Sequence, residues 1–304
     1  MTILLLNRDN LLHHADSINS DSQRTITTVL KQINYECPKI VIAVIVMVCL
    51  NGITGCGTGN SEELQLIQQI NINGTITNSQ AERLSKVEFL SLEGLTAITD
   101  EQVEILSNVR QLWLTGLTSI TDAQAESLSK VEILSLEGLT SISDLQAQKL
   151  SKVKTLWLNG LTSITDLQAV SLGKAKGLFL DGLTSITDAQ AESLTTVQFL
   201  GLDGLTSITD KQAESLNNSD ELSLSGLTSI TDTQAKSLSK VDVLLLDGLT
   251  TITDTQAESL SKVDMLHLKG ISSITDAQAE SLNKVRSLVI SQACQPLIDK
   301  YKNQ

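Results

Sequence analysis

The chain has 304 residues, 41% of them hydrophobic but only 2% aromatic, and a formal net charge of −13. That much apolar residue can fill a core, and the core must be aliphatic; the acidic excess repels phosphate backbones and leaves no basic stripe for binding nucleic acid. The four cysteines, Cys37, Cys49, Cys56 and Cys294, are spaced neither as a disulfide framework nor as a metal site.

Residues 1–38 are polar and unlike anything downstream, and the few charges of residues 1–55 cancel. Lys39 then precedes an unbroken apolar run, Ile40 to Leu50. The run is too short for a membrane-spanning helix, which needs about 20 residues, and has the length of a signal-peptide core behind a positive flank. The segment that follows, Ile53-Thr54-Gly55-Cys56, resembles a bacterial lipobox. The resemblance implies cleavage before Cys56, lipid on Cys56 and attachment to a membrane of the bacterial cell envelope, facing periplasm or exterior. Residues 39–55 are then the signal peptide and 56–69 the lipidated cysteine with its tether. The stretch ahead of Lys39 is long for such a signal, so a start at Val29 or Leu30 is expected, with 1–28 outside the protein. An uncleaved short anchor is the competing reading.

From residue 70 to 290 the chain repeats. Gly94, Gly116, Gly138, Gly160, Gly182, Gly204, Gly226, Gly248 and Gly270 mark a period of 22, and a fixed period in this range signals a solenoid. Ile70-Asn71-Ile72-Asn73-Gly74 reads as a degenerate first strand and bend. Within a unit, Leu112-Trp113-Leu114 alternates as a short strand with one buried face. Gly116 permits a bend, and Leu117 and Ile120 turn back inward. Thr121, followed three residues later by Gln124, is a capping-box pattern that recurs down to Thr275 and Gln278. A short helix follows, with Ala125 and Leu128 on one side. Asp122 and its equivalents favour the positive helix end. Residues 291–304, with Leu297, Ile298 and Tyr301 at helical spacing, read as a C-terminal cap.

Val109-Arg110-Gln111-Leu112-Trp113-Leu114 fits the L-x-x-L-x-L signature of leucine-rich repeats, and Gly116 to Asp122 is similar to the G-C-x-x-I-T-D segment of the ribonuclease-inhibitor-like, cysteine-containing branch. The resemblance implies an α/β leucine-rich-repeat solenoid, a curved horseshoe with parallel strands on the concave face and short helices on the convex face. Leu117 and its equivalents stand where that branch has Asn or Cys, so an apolar column should replace the usual hydrogen-bonding ladder.

If the strand leucines point inward, the residues between them line the concave face. One outward column holds Asn71, Trp113, Ser135, Trp157 and Phe179; the column before it holds Phe89 and Phe199. Both tryptophans and all three phenylalanines thus fall on the open face, where aromatic side chains mark binding patches. Half-burial by neighbours is the alternative account of Phe89 and Phe199. Trp113 and Trp157, two units apart, should stand roughly 10 Å from each other on strand spacing. A third column sets Glu93, Glu137, Asp181, Asp203 and Asp247 beside the aromatics. With no nucleophile–base set, phosphate loop or metal-ligand cluster, no catalysis, cofactor or metal is expected. The expected role is a monomeric, non-catalytic protein-binding module; a carbohydrate-binding surface and a structural spacer without a specific ligand are the alternatives.

Overall fold

The computed structural model describes residues 61–302. The expected leader, Cys56 and the first part of its tether lie outside the described residues. Among those described, no helix is long and apolar enough to cross a membrane.

Ten strands form one parallel sheet in chain order: β1 (Phe89–Ser91), β2 (Gln111–Trp113), β3 (Ile133–Ser135), β4 (Thr155–Trp157), β5 (Gly177–Phe179), β6 (Phe199–Gly201), β7 (Glu221–Ser223), β8 (Val243–Leu245), β9 (Met265–Leu268) and β10 (Ser287–Ile290). Two helices precede them, α1 (Ser61–Asn73) and α2 (Asn78–Leu84). One short helix then follows each strand up to β9: α3 (Asp100–Leu106), α4 (Asp122–Leu128), α5 (Asp144–Leu150), α6 (Asp166–Leu172), α7 (Asp188–Ser193), α8 (Asp210–Leu216), α9 (Asp232–Leu238), α10 (Asp254–Leu260) and α11 (Asp276–Leu282). Helix α12 (Gln295–Lys302) closes the chain. This is the α/β leucine-rich-repeat solenoid that the period implies. Strands stack about 4.8 Å apart and helices about 8–10 Å, so the sheet takes the inside of the curve.

Register explains the core. Leu90, Leu112, Leu134 and their equivalents pair strand to strand in one row and are shut from solvent. The Leu114 row, the Leu117 row, Ala125, Leu128 and Val131 complete an aliphatic interior. The apolar column expected in place of the Asn/Cys ladder is present, from Leu95 to Ile271.

A seven-residue helix is too short to hold by itself; here each is fixed at its start. Thr165 accepts from the Gln168 amide and the Gln168 side chain accepts from the Thr165 amide, a complete capping box. Two further bonds join the units. The Gln168 amide nitrogen donates to the Ile142 carbonyl one unit back (2.8 Å), and the Thr165 hydroxyl donates to Asp144 (2.8 Å). The Gln-to-Ile bond repeats from Gln102 to Gln278, and the hydroxyl-to-Asp bond from Thr121 to Thr275. The Asp122 column is therefore an inter-unit acceptor as well as a helix-start charge.

Two sequence expectations need correction. Ile70 to Asn73 is not a strand but the last turn of α1, whose apolar residues Leu66, Ile67 and Ile70 pack on the core. Asn71 consequently leaves the outward strand column; its Oδ1 accepts from the Gly94 amide (3.0 Å). At the repeat glycines the expected bend is present, closed by the Leu117 amide on the Leu114 carbonyl (3.2 Å), but backbone freedom is not what requires glycine there. Their φ values are ordinary, and among the described residues only Gly74 (φ 72°) is left-handed. A Cβ on Gly116 would lie 2.4 Å from the Glu93 carbonyl oxygen and 2.7 Å from that of Leu95. Glycine is needed because neighbouring units touch there through their backbones.

Candidate functional site

Because strand side chains alternate, Leu112 faces in while Gln111 and Trp113 face out. Along the outward face the aromatic rings form a row. Phe89 and Trp113 lie 4.8 Å apart between centroids and tilted, Trp113 and Trp157 5.9 Å apart, and Trp157 and Phe179 4.9 Å apart and stacked at 6°. The rings of Trp113 and Trp157 are thus far nearer than the two-strand spacing expected of them. Ser135 stands between them in register and is wholly buried, so the indoles converge over a small residue. Gly201 plays the same part for Phe179, since a Cβ there would come 2.7 Å from Phe179 Cδ1. Trp113 is only 6% exposed and serves packing first. Phe89, Trp157 and Phe179 are half-buried. Phe199 has Lys176 Nζ 5.7 Å above its ring.

The third column is also more than a charged rim. Asn159 Oδ1 accepts from the Asp181 amide (3.2 Å), Asp181 from the Asp203 amide (3.1 Å), Asp203 from the Ser225 amide (2.8 Å) and Asp247 from the Lys269 amide (3.0 Å). Asp203 also accepts from the Ser223 hydroxyl, and Asp247 pairs with Lys269 Nζ at 3.1 Å. A side-chain-to-backbone ladder therefore does run along these units, one bend away from where the Asn/Cys type would place it. Asn159, standing among aspartates, is the sequence signal for it, since Asn and Asp share the acceptor oxygen and not the charge. Burial pushes the Asp181 carboxyl up, with the Asp203 amide opposing and the Asp203 charge adding. Burial also raises Glu137, with the Asp181 and Glu93 charges adding. Glu93 is exposed and accepts from the Ser91 hydroxyl (3.1 Å). Among the described residues no three His, Cys, Asp or Glu side chains are placed to hold a metal ion.

A further row, one residue ahead of each strand, falls outside the strand alternation and so escapes a reading based on it. Its first half is an alternating ion-pair chain. Arg110 Nε meets Glu132 at 2.8 Å and Lys154 Nζ meets the other Glu132 oxygen at 2.7 Å. Hydrogen bonds from Arg110 and Lys154 hold the Glu132 carboxyl down at about 2. Its second half is Asp220, Asp242 and Asp264.

No protein-family model matches the sequence, and no curated protein matches it. Among solved structures the chain is similar to an internalin of Listeria monocytogenes, at 16% identity over 79% of this chain and 86% of that one, with a TM-score of 0.49. It is also similar to internalin C2 of the same organism, at 21% identity over 75% and 91%, with a TM-score of 0.40. The repeat architecture stands on the ten-strand sheet itself.

Proposed function

We propose that the repeat domain is a monomeric, non-catalytic protein-binding module that engages its partner through the strand face, held at a bacterial cell envelope by lipid on Cys56. The observation that supports this best is the row of rings from β1 to β5, in which the half-buried Trp157 and Phe179 offer rigid apolar contact of the kind that anchors protein interfaces. A sugar-stacking platform fits less well, because the Trp157 and Phe179 rings lie face to face and each takes up one face of the other. A spacer has no need of aromatics gathered on one face.

A photo-crosslinking residue at Thr155 in the full chain, half-buried on the same strand as Trp157, should capture one protein from the native envelope or its surroundings. Trp157→Ala with Phe179→Ala should abolish that capture while the circular dichroism spectrum keeps its helix and strand content. Capture unaffected by the double variant would refute strand-face binding, and soluble glycans quenching tryptophan fluorescence would favour the sugar reading. For the anchor, Cys56→Ala should move the protein from the membrane fraction to the soluble one; unchanged membrane association refutes lipidation.

A further inference from the structure

Three aspartates stand in one row at the entrance to β7, β8 and β9. The Val243 amide donates to the Asp220 carbonyl (3.0 Å), the Met265 amide to that of Asp242 (3.0 Å) and the Ser287 amide to that of Asp264 (2.9 Å). The sheet ladder thus fixes their backbones one strand apart, about 4.8 Å. Asp242 and Asp264 are exposed and Asp220 is half-buried. None of the three forms an ion pair among the described residues, and Arg286, next in the row, does not reach Asp264.

The contrast with the other end of the row is what matters. There Arg110 and Lys154 both pair with Glu132 and Lys176 sits over Phe199. Like charges on neighbouring strands destabilise a sheet, so fold stability does not account for the aspartate run. Beside it the open sheet face carries Val243, Leu245 and Met265, all half-buried. Glu221, Ser223 and His267 share this end of the face with those three apolar side chains, and among the described residues the three aspartates at its edge form no ion pair.

We propose that the face over β7 to β9 docks a cationic amphipathic segment of a partner protein. Lys or Arg side chains of that segment meet Asp220, Asp242 and Asp264, and its apolar side chains cover Val243, Leu245 and Met265. Charge complementarity selects this occupant: an acidic or neutral segment would leave three carboxylates desolvated and unpaired. The proposal rests on the strand-face reading above.

The test uses the full chain and a fluorescein-labelled peptide of alternating Lys and Leu, read by anisotropy, with an alternating Glu and Leu peptide as control. The Lys peptide should bind, more weakly as salt rises, and the Glu peptide should not. Asp220→Asn, Asp242→Asn and Asp264→Asn together should weaken binding by about tenfold or more, as expected when close charge pairs are removed from an interface. Glu192→Gln, Glu214→Gln and Glu258→Gln change the net charge equally on the helix side and should leave affinity within about twofold, since exposed charges beyond a Debye length are screened. Equal losses in the two triple variants, or no binding of the Lys peptide, overturn the proposal. Leu245→Ser separates the two levels of argument. If it weakens binding while the aspartate variant does not, the cationic partner is refuted and strand-face binding stands; if neither variant has an effect, both are refuted.

Discussion

Replacing Gln168 by glutamate changes one atom's chemistry and leaves the size of the side chain alone. The capping box survives, because a carboxylate oxygen can still accept from the Thr165 amide (2.9 Å in the native protein). What is lost is the Nε2 donor to the Ile142 carbonyl, 2.8 Å away, at a site where Gln168 is 7% exposed. A buried carbonyl left without its partner costs about 1–3 kcal/mol, and the carboxylate facing it adds to that. The positive helix start returns roughly 0.3–1 kcal/mol. Gln168→Glu should therefore destabilise by about 2 kcal/mol at neutral pH, read from urea unfolding followed by tryptophan fluorescence with the slope unchanged. The pH dependence has a definite sign. Burial raises the introduced carboxyl's folded pKa above its unfolded one, so the deficit is full above the folded pKa. It shrinks as pH falls through the folded pKa towards the unfolded value of about 4.3, where the protonated group can donate. A deficit under about 0.5 kcal/mol at neutral pH, the size of an ordinary surface substitution, or one that grows on acidification, refutes the inter-unit role of the glutamine.

Gly160→Ala should cost about 3 kcal/mol, because its Cβ would lie 2.2 Å from the Glu137 carbonyl oxygen and 2.5 Å from that of Leu139. Gly177→Ala, whose Cβ meets only the Thr155 side chain at 3.0 Å, should cost less than about 1.5 kcal/mol, and paired thermal melts decide between them. Glu132, held down at about 2, contributes stability that is present above its unfolded value and lost as pH falls towards 2. Glu132→Gln should flatten that acid slope by about 1 kcal/mol or less, the worth of a partly exposed pair. Asp181→Asn keeps the acceptor oxygen that Asn159 already uses in the same ladder and removes a buried charge. It should leave the protein at least as stable at neutral pH, with any gain vanishing as pH falls through the raised Asp181 pKa; a loss at neutral pH, measured by urea unfolding, would show the charge itself to be needed.

The strands and helices were legible in the sequence because the period of 22 superimposes a strand alternation and a capping box in every unit. What stayed hidden depends on contacts between units. A capping box accepts Glu or Gln equally, so constant Gln looks like preference until Nε2 is seen to reach the previous unit. A recurring glycine is put down to the bend alone until the neighbouring carbonyls are in place. The Ile-Asn-Ile-Asn alternation mimics a strand, yet it continues the helical run from Ser61 and buries Ile70. The aromatic side chains were assigned to the right face, but their association was not predictable from strand spacing: an indole is long enough to lean across the gap left by Ser135. Thr118 and Ser119, constant in kind over most units, are exposed, and nothing in the structure explains their constancy.

The inter-unit bonds join residues 21, 22 or 26 apart and so reach one neighbour only. Stability in such an array is close to a sum of unit and nearest-neighbour contributions, and the two ends must supply partners that no repeat provides. At the C-terminal end Asp276, which has no following threonine, takes Lys300 Nζ at 2.6 Å and the Tyr301 hydroxyl at 2.7 Å. At the N-terminal end the Gly74 carbonyl accepts from the Thr96 amide (3.0 Å), and Asn71 takes the Gly94 amide. The caps thus reproduce the hydrogen bonds of a neighbouring unit without its sequence. With core, glycine contact, glutamine ladder and caps all placed inward, between units or at the ends, the outward strand positions answer least to the scaffold. The aromatic row occupies those positions and the aspartate run stands one residue ahead of the strands, where side chains vary from unit to unit within one unchanged scaffold.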